Sequence, residues 1–290
     1  MHYWPQTTSV APFTTDLADY LAATGWQVTV LTTFPHYPQW EVAEAYRGRL
    51  FQHEQRGTIA ILRGWVYVPH RPKVGITSTW KRILYDTTLA TSGLPAALTL
   101  PPQDAIIAVC PPLQTGLAAM LLKRLWRAPV LYWIQDIVPD AAVSTGMMRE
   151  GLTLKLGRKL EMLVYQGVDL IANISYGFAA NLEAKGVPAS RMRFLPNWAN
   201  LTPFERPAQP GERAQTRARY GIAAHDFVVL HAGNVGAKQA LEHVIRAMKL
   251  LEHHTDMHLL IIGAGNSLDA VQHEAARLKL QRVQFLPLTR

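Results

Sequence analysis

The spacing of apolar and polar positions changes several times along the first hundred residues. Phe13, Leu17, Tyr20 and Leu21 recur at helical spacing behind Pro12, a proline placed where a first helical turn accepts it, and Gly25 stops the run. Residues 26–33 then read as a β-branched strand, residues 34–38 as a proline-rich loop, and residues 51–68 alternate around Arg56-Gly57, which predicts a hairpin or paired strands. A helix is expected around 78–98. From there the rhythm is regular: strand 105–110, helix 114–126, strand 130–134, helix 151–165, strand 169–173, helix 176–185. Short apolar strands alternating with amphipathic helices predict parallel strands joined by crossovers, a doubly wound α/β domain.

The rhythm breaks at residues 202–211, which hold Pro203, Pro207 and Pro210 and few apolar side chains. It restarts with strand 227–231, helix 238–251, strand 257–262, helix 268–278 and strand 283–286. The predicted organisation is a first domain over residues 1–200, a linker with a lead-in helix over 201–224, and a second α/β domain over 225–290. A doubly wound sheet normally opens with a strand that feeds its first ligand loop. Residues 1–5 can supply only the tail of one, so the first strand is expected to be largely missing and the second domain incomplete.

Composition narrows the class. Of 290 residues 49% are hydrophobic and 17% charged, which is enough apolar material for packed cores and too little charge for a disordered chain. The longest uncharged stretch, residues 105–122, is broken by Pro111, Pro112, Gln114 and Gly116 and reads as strand, turn and helix, not as a membrane span. Cys110 is the single cysteine, and no basic-then-apolar leader opens the chain, so a reducing cytoplasmic setting is expected. The net charge of +8 permits an anionic partner. The excess is spread over both halves without a zinc-finger or RNA-recognition signature, so nucleic acid is not expected. Basic clusters at Lys81-Arg82, Lys123-Arg124-Arg127 and Arg149-Lys155-Arg158-Lys159 read either as solvated helix faces or as a patch for an anionic membrane surface.

Several strand-to-helix junctions carry candidate chemistry. Thr8 and Ser9 precede a helix whose free N–H groups favour an anion, although Ser9 could serve as a plain cap. His231-Ala-Gly-Asn-Val-Gly-Ala-Lys238 has two glycines, Gly233 and Gly236, that let backbone approach a ligand, with a lysine at the helix mouth; phosphate binding and tight turns are both consistent with it. Gly263-Ala-Gly265 ends the next strand without the third glycine of a dinucleotide fingerprint. Asp136 and Asp140 lie just past a strand end, Asp136 the better aimed, with loop capping as the plain alternative. Ser175 sits in an Asn-Ile-Ser-Tyr-Gly run that imitates a nucleophile elbow with Asn in place of the first glycine, and it also suits a helix cap. His254 and His258 have metal-ligand spacing but straddle a predicted helix end, so no metal site is expected.

Taken in order, residues 11–21 with 25–32, Pro35-His-Tyr-Pro38, Gln135-Asp-Ile-Val-Pro-Asp140, Pro196-Asn-Trp-Ala-Asn200, and residues 233–241 followed by 262–265 resemble glycosyltransferase family 4. The likeness is to sugar transferases of the colanic-acid and exopolysaccharide type with the GT-B fold, and it covers most of the chain. It implies two Rossmann-like doubly wound domains facing a cleft. It also implies a nucleotide-sugar donor bound mainly by the second domain, a saccharide acceptor, commonly lipid-linked, on the first, and retaining transfer with no metal or other cofactor. By that resemblance Lys238 neutralises the donor diphosphate with help from Asn234 and the Thr8-Ser9 loop. Gly263 and Gly265 border the nucleobase pocket, and Asp136 faces the acceptor where many relatives carry a histidine. A lipid-linked acceptor would seat the enzyme peripherally on the inner face of the plasma membrane, with Trp80, Trp126 and Trp133 beside the basic clusters. Asn234 stands where the family usually has arginine, and the family's Glu-x7-Glu donor motif, which would follow Arg290, is absent. The chain is therefore expected to be a fragment truncated at both ends. A GT-B epimerase, an α/β-hydrolase built on Ser175 and an inactive donor-binding remnant are the alternatives.

Overall fold

The computed structural model describes residues 2–69, 78–144, 151–202, 205–207 and 209–287. Two compact units meet in sequence between Trp198 and Ala199. In the first, helix α1 (Ala11–Ala23) leads to strand β1 (Thr29–Thr33) and a hairpin of β2 (Phe51–Arg56) and β3 (Ile59–Gly64). Helices α2 (Thr79–Thr91) and α3 (Leu94–Ala97) follow, then β4 (Ile106–Cys110), α4 (Gln114–Trp126), β5 (Val130–Ile134), α5 (Val138–Ser144), α6 (Leu152–Gly167), β6 (Leu170–Asn173), α7 (Tyr176–Ala184) and β7 (Met192–Phe194).

These strands form two sheets, not the single one expected. The order is β1-β3-β2 in the first, with β1 parallel and β2 antiparallel to β3, and β4-β5-β6-β7, all parallel, in the second. Residues 2–5 form no strand. Among the described residues, the outer edge of β1 and that of β4 have no ladder partner. A cavity of about 150 Å³ lies beside them, lined by Thr29 and Leu31 of β1, residues 105–109, and Leu122 and Trp126 of α4. The helix expected over 78–98 is two helices. Gly93, against Leu31, and Pro95 in the first turn of α3 restart the backbone there.

Strand β5 explains the layering. Its Val-Leu-Tyr-Trp-Ile run buries side chains on both faces: Tyr132 and Ile134 join Val164, Tyr165 and Leu182 from α6 and α7, while Trp133 joins Val109 and Ala172. Phe13 and Leu17 of α1 and Trp198 cover this second face. Trp133 is fully buried, and Trp126 is half-buried on the cavity, so of the three tryptophans expected at a membrane only Trp80 is exposed. Helix α1 also lays Ala18 on Tyr3, Val30, Ile59 and Ile61 and so spans both sheets. Arg63, 1% exposed, ties the opening segment to β3: it donates to the Trp4 carbonyl at 2.6 Å and to Glu54 at 2.7 Å.

The second unit contains α8 (Glu212–Arg219), β8 (Phe227–Asn234), α9 (Glu242–Leu250), β9 (Met257–Ala264), α10 (Leu268–Arg277) and β10 (Val283–Leu286). Its parallel sheet has the order β10-β9-β8. Leu241, Ile245 and Met248 beside α10's Val271 and Ala275 cover Leu259 and Ile261. Helix α9 begins four residues later than the expected start at 238. Ala240 is left-handed with φ +47°, so residues 237–239 form a separate turn of 3-10 helix.

Helices α4 and α6 touch through glycines. A Cβ on Gly116 would stand 2.2 Å from Val164 Cγ1 and 3.2 Å from Tyr132. Gly116→Ala is expected to destabilise the chain by about 1–3 kcal/mol through overpacking, outweighing alanine's better helix propensity. A lowered urea midpoint at unchanged m-value would show this, and an unchanged midpoint would show that the helices can part freely.

Candidate functional site

In each unit the polar loops follow strand carboxyl ends, where open parallel sheets place ligands. After β5, the Gln135 N–H donates to the Cys110 carbonyl at 2.8 Å, which turns the chain so that Asp136 begins the loop into α5. Asp136 is half-buried, and its carbonyl accepts the Cys110 thiol at 3.6 Å. Asp140 lies in the first turn of α5 and is held by Lys185 at 2.7 Å and Asn181 at 2.9 Å. Lys185 also holds buried Glu161 at 2.9 Å. Asp140 is thus part of the ion-pair network joining α5, α6 and α7. The Cys110 thiol, wholly buried, is pushed up to about 12 by that burial and serves packing.

Thr8 and Ser9 are exposed in the loop that enters α1. Ser9 does not cap the helix: the N-cap is Val10, no side chain caps it, and Ser9 is left-handed with φ +61°. Ser175 does cap a helix, accepting the Phe178 N–H at 3.1 Å at the start of α7. That bond accounts for the serine without a nucleophile.

Sequence reading missed a buried polar chain in the first unit. The His36 ring bonds the Phe34 carbonyl at 2.8 Å through Nδ1 and the Tyr85 hydroxyl at 2.9 Å through Nε2; Tyr85 meets His2 Nε2 at 3.3 Å, and His2 Nδ1 meets the Gln6 side-chain amide at 2.6 Å. With both rings neutral, three of these contacts are hydrogen bonds. His36 Nδ1–H donates to the Phe34 carbonyl, the Tyr85 hydroxyl donates to His36 Nε2, and His2 Nδ1–H donates to Gln6 Oε1. Burial lowers His36 to about 4 and His2 to about 3, consistent with this assignment. The only sequence signal was Pro35-His-Tyr-Pro38, whose histidine carried no assigned role.

In the second unit the ends of β8 and β9 touch. The Val235 N–H donates to the Ala264 carbonyl at 2.9 Å, and the Ser267 N–H to the Val235 carbonyl at 3.0 Å. A Cβ on Gly263 would lie 1.9 Å from the Gly233 carbonyl, and one on Gly265 would lie 2.2 Å from that of Val235. Both glycines are therefore required by the approach of the two loops, whatever else they border. Gly236 closes the turn: its N–H donates to Gln239 Oε1 at 3.1 Å, and Asn234 Nδ2 donates to the same oxygen at 3.2 Å. Asn234 and Lys238 are exposed on this framework, Lys238 within the 3-10 turn and not at the mouth of α9. His258 Nε2 bonds Asp226 at 3.0 Å. Among the described residues no three His, Cys, Asp or Glu side chains converge as a metal site.

Two α/β units built on parallel strands, with polar loops at the strand carboxyl ends, are the architecture of the GT-B sugar transferases, and solved structures share this fold. WaaG, a glycosyltransferase involved in lipopolysaccharide biosynthesis, matches all of this chain and 69% of its own with a TM-score of 0.58 at 13% identity. HepE of Anabaena, solved with UDP and glucose, matches 91% of this chain and 70% of its own with a TM-score of 0.57 at 15% identity. Residues 8–198 match the glycosyl transferase 4-like domain, and residues 212–289 match glycosyl transferases group 1. WcaI of Escherichia coli (strain K12), named as a colanic acid biosynthesis glycosyl transferase, is 31% identical over 99% of this chain and 70% of WcaI. The D-inositol 3-phosphate glycosyltransferase of Nocardia farcinica is 28% identical over 60% of this chain and 40% of its own length. The chain belongs to the glycosyl transferase 4-like family and is a glycosyltransferase.

The His36 network sets a pH dependence. Its folded pKa lies below the ordinary 6.5, so the stability it contributes is full above about pH 6.5 and is lost as pH falls toward about 4. Within that window His36 removes roughly 1.4 kcal/mol per pH unit. The non-titrating His36→Gln variant is expected to show a shallower loss between pH 6.5 and 4.5 in urea unfolding. Parallel pH profiles would place the titration elsewhere.

Proposed function

We propose that the chain transfers a sugar, with retention at the anomeric carbon, from a nucleotide-sugar donor to a lipid-linked saccharide acceptor during surface polysaccharide assembly. It acts as a peripheral protein at the inner face of the plasma membrane and uses no metal or other cofactor. The observation that carries the donor half is the 233–239 loop, backed on residues 263–267 so closely that only glycine fits, with Lys238 exposed on it. WcaI's name supports the polysaccharide setting, and HepE, which shares the fold, was solved with UDP and glucose.

As the sugar leaves, its bond to the diphosphate breaks while the anomeric carbon bonds the acceptor oxygen, whose proton goes to a base or to the departing phosphate. Negative charge then grows on the nucleoside diphosphate. A cation and backbone N–H groups already fixed in place stabilise that charge more than they stabilise the bound donor. Lys238 supplies the cation, and Gly233, Asn234 and Gly236 supply the close backbone and an amide. Gly263 and Gly265 hold the neighbouring loop that faces the base. Thr8 and Ser9 offer hydroxyls at the exposed N-terminus of α1 to an anion. Asp136, beyond β5, is assigned to the acceptor hydroxyl.

Calorimetric titration with UDP and with GDP tests the donor site. Removing a charge-assisted contact costs about 1.5–3 kcal/mol, so Lys238→Ala is expected to weaken nucleotide binding at least tenfold with the circular dichroism spectrum unchanged. Equal affinity in the variant would remove Lys238 from the site.

A further inference from the structure

We propose that the outer face of α4 and α6 rests on an anionic lipid bilayer. Helix α4 turns Thr115, Gly116, Ala119 and Leu122 to the core and carries Leu117, Leu121 and Leu125 on the opposite side, 37%, 52% and 50% exposed. Helix α6 repeats the arrangement. It buries Leu154, Glu161 and Val164 and carries Leu152, Leu156 and Leu163 outward, 74%, 56% and 51% exposed. The two helices are neighbours, since Gly116 packs on Val164 and Met120 on Gly167. A single exposed leucine is ordinary, but six on the outer sides of two touching helices make an apolar face that calls for a partner.

Charge identifies the partner. Arg124, Lys155 and Lys159 are exposed among these leucines. The one carboxylate in either helix, Glu161, is buried and paired with Lys185. A face of leucines and cations without an exposed carboxylate suits anionic headgroups above an acyl boundary. The same charge works against a second copy of this face, where cation would meet cation. No helix among the described residues is long and apolar enough to cross a membrane, so the face lies on the bilayer. Trp80 and Ile83 are 61% and 49% exposed on α2, which packs on α4.

This inference rests on the proposed peripheral membrane location and gives it a face. Sedimentation of the 290-residue chain with sucrose-loaded vesicles tests it, using equal parts phosphatidylglycerol and phosphatidylcholine against phosphatidylcholine alone. Binding is expected to the anionic vesicles and to weaken with added salt. Leu121→Glu with Leu156→Glu is expected to lower it at least tenfold, as is Arg124→Glu with Lys159→Glu. All four side chains are exposed, so circular dichroism, thermal unfolding and UDP titration should be unchanged. Equal vesicle binding by the variants overturns the proposal, and so does absence of binding by the parent chain. A reversible dimer in sedimentation equilibrium, lost in the leucine variant without any vesicle binding, overturns it in favour of self-association. UDP titration and the variants separate the readings: vesicle binding without nucleotide binding rejects the donor site alone, nucleotide binding without vesicle binding rejects the membrane location and this face together, and vesicle binding undiminished in the variants rejects this face alone.

Discussion

The stack of Trp198 on Trp133 organises the first unit. Trp133 is fully buried in β5; the Trp198 ring lies 5.6 Å from it at 16°, and Phe13 of α1 meets Trp198 edge-on at 5.6 Å. Trp198 Nε1 donates to Asp16 of the same helix at 3.0 Å. One aromatic cluster thus fixes three things together: the central strand whose end carries Asp136, the helix whose N-terminal loop carries Thr8 and Ser9, and the point where the chain leaves the unit. Aromatic packing of this kind adds about 0.5–1.5 kcal/mol per pair beyond the area it buries. Its greater effect here is on orientation, because a flat ring leaves α1 little room to roll over the sheet.

In the second unit the constraint is steric and falls on backbone. The end of β8 and the loop after β9 approach until carbonyl oxygens occupy the space a Cβ would need at Gly263 and Gly265. A ligand loop must hold its N–H groups in place before the ligand arrives if charge is to be stabilised without reorganisation. Two loops braced against each other satisfy that condition better than either alone. Gln239 adds to it by accepting both the Gly236 N–H and the Asn234 amide.

Much of this was legible in sequence wherever a strand, its turn and its helix are consecutive. Strands β4, β5 and β6 with helices α4, α6 and α7 followed from periodicity, as did the hairpin at Arg56-Gly57, and the ordered motifs led to the family. What escaped notice was set by contacts between distant residues. Strand β7 is three residues long and includes Arg193; it exists because β6 offers a free edge, with Ile171 opposite Met192. His36 and Tyr85 stand 49 positions apart, and neither has a period to reveal it. The leucines of α4 and α6 recur at helical spacing, and the sequence assigned none of them to a side. Spacing identifies a stripe, but when a helix carries apolar residues on two sides it does not say which side is buried. The tryptophans misled for the opposite reason: an amphipathic ring suggests an interface, yet Trp133 lies within a strand covered on both faces.

The two sheets of the first unit raise a question of rigidity. Between β1 and β4 no ladder bond joins the halves among the described residues; side-chain packing across α1, with Ala18 on one sheet and Phe13 and Leu17 on the other, performs that task. Packing tolerates small sliding, whereas a hydrogen-bonded ladder fixes register residue by residue. The β1-β3-β2 sheet, with Arg63 gripping the Trp4 carbonyl and the His36 chain beside it, is therefore held to the other sheet by packing and not by a ladder. The β4-to-β7 sheet, braced by the tryptophan stack and the Lys185 network, holds Asp136 still. The end of β5 that carries Asp136 thus takes its position from the second sheet and from the helices packed on both of its faces.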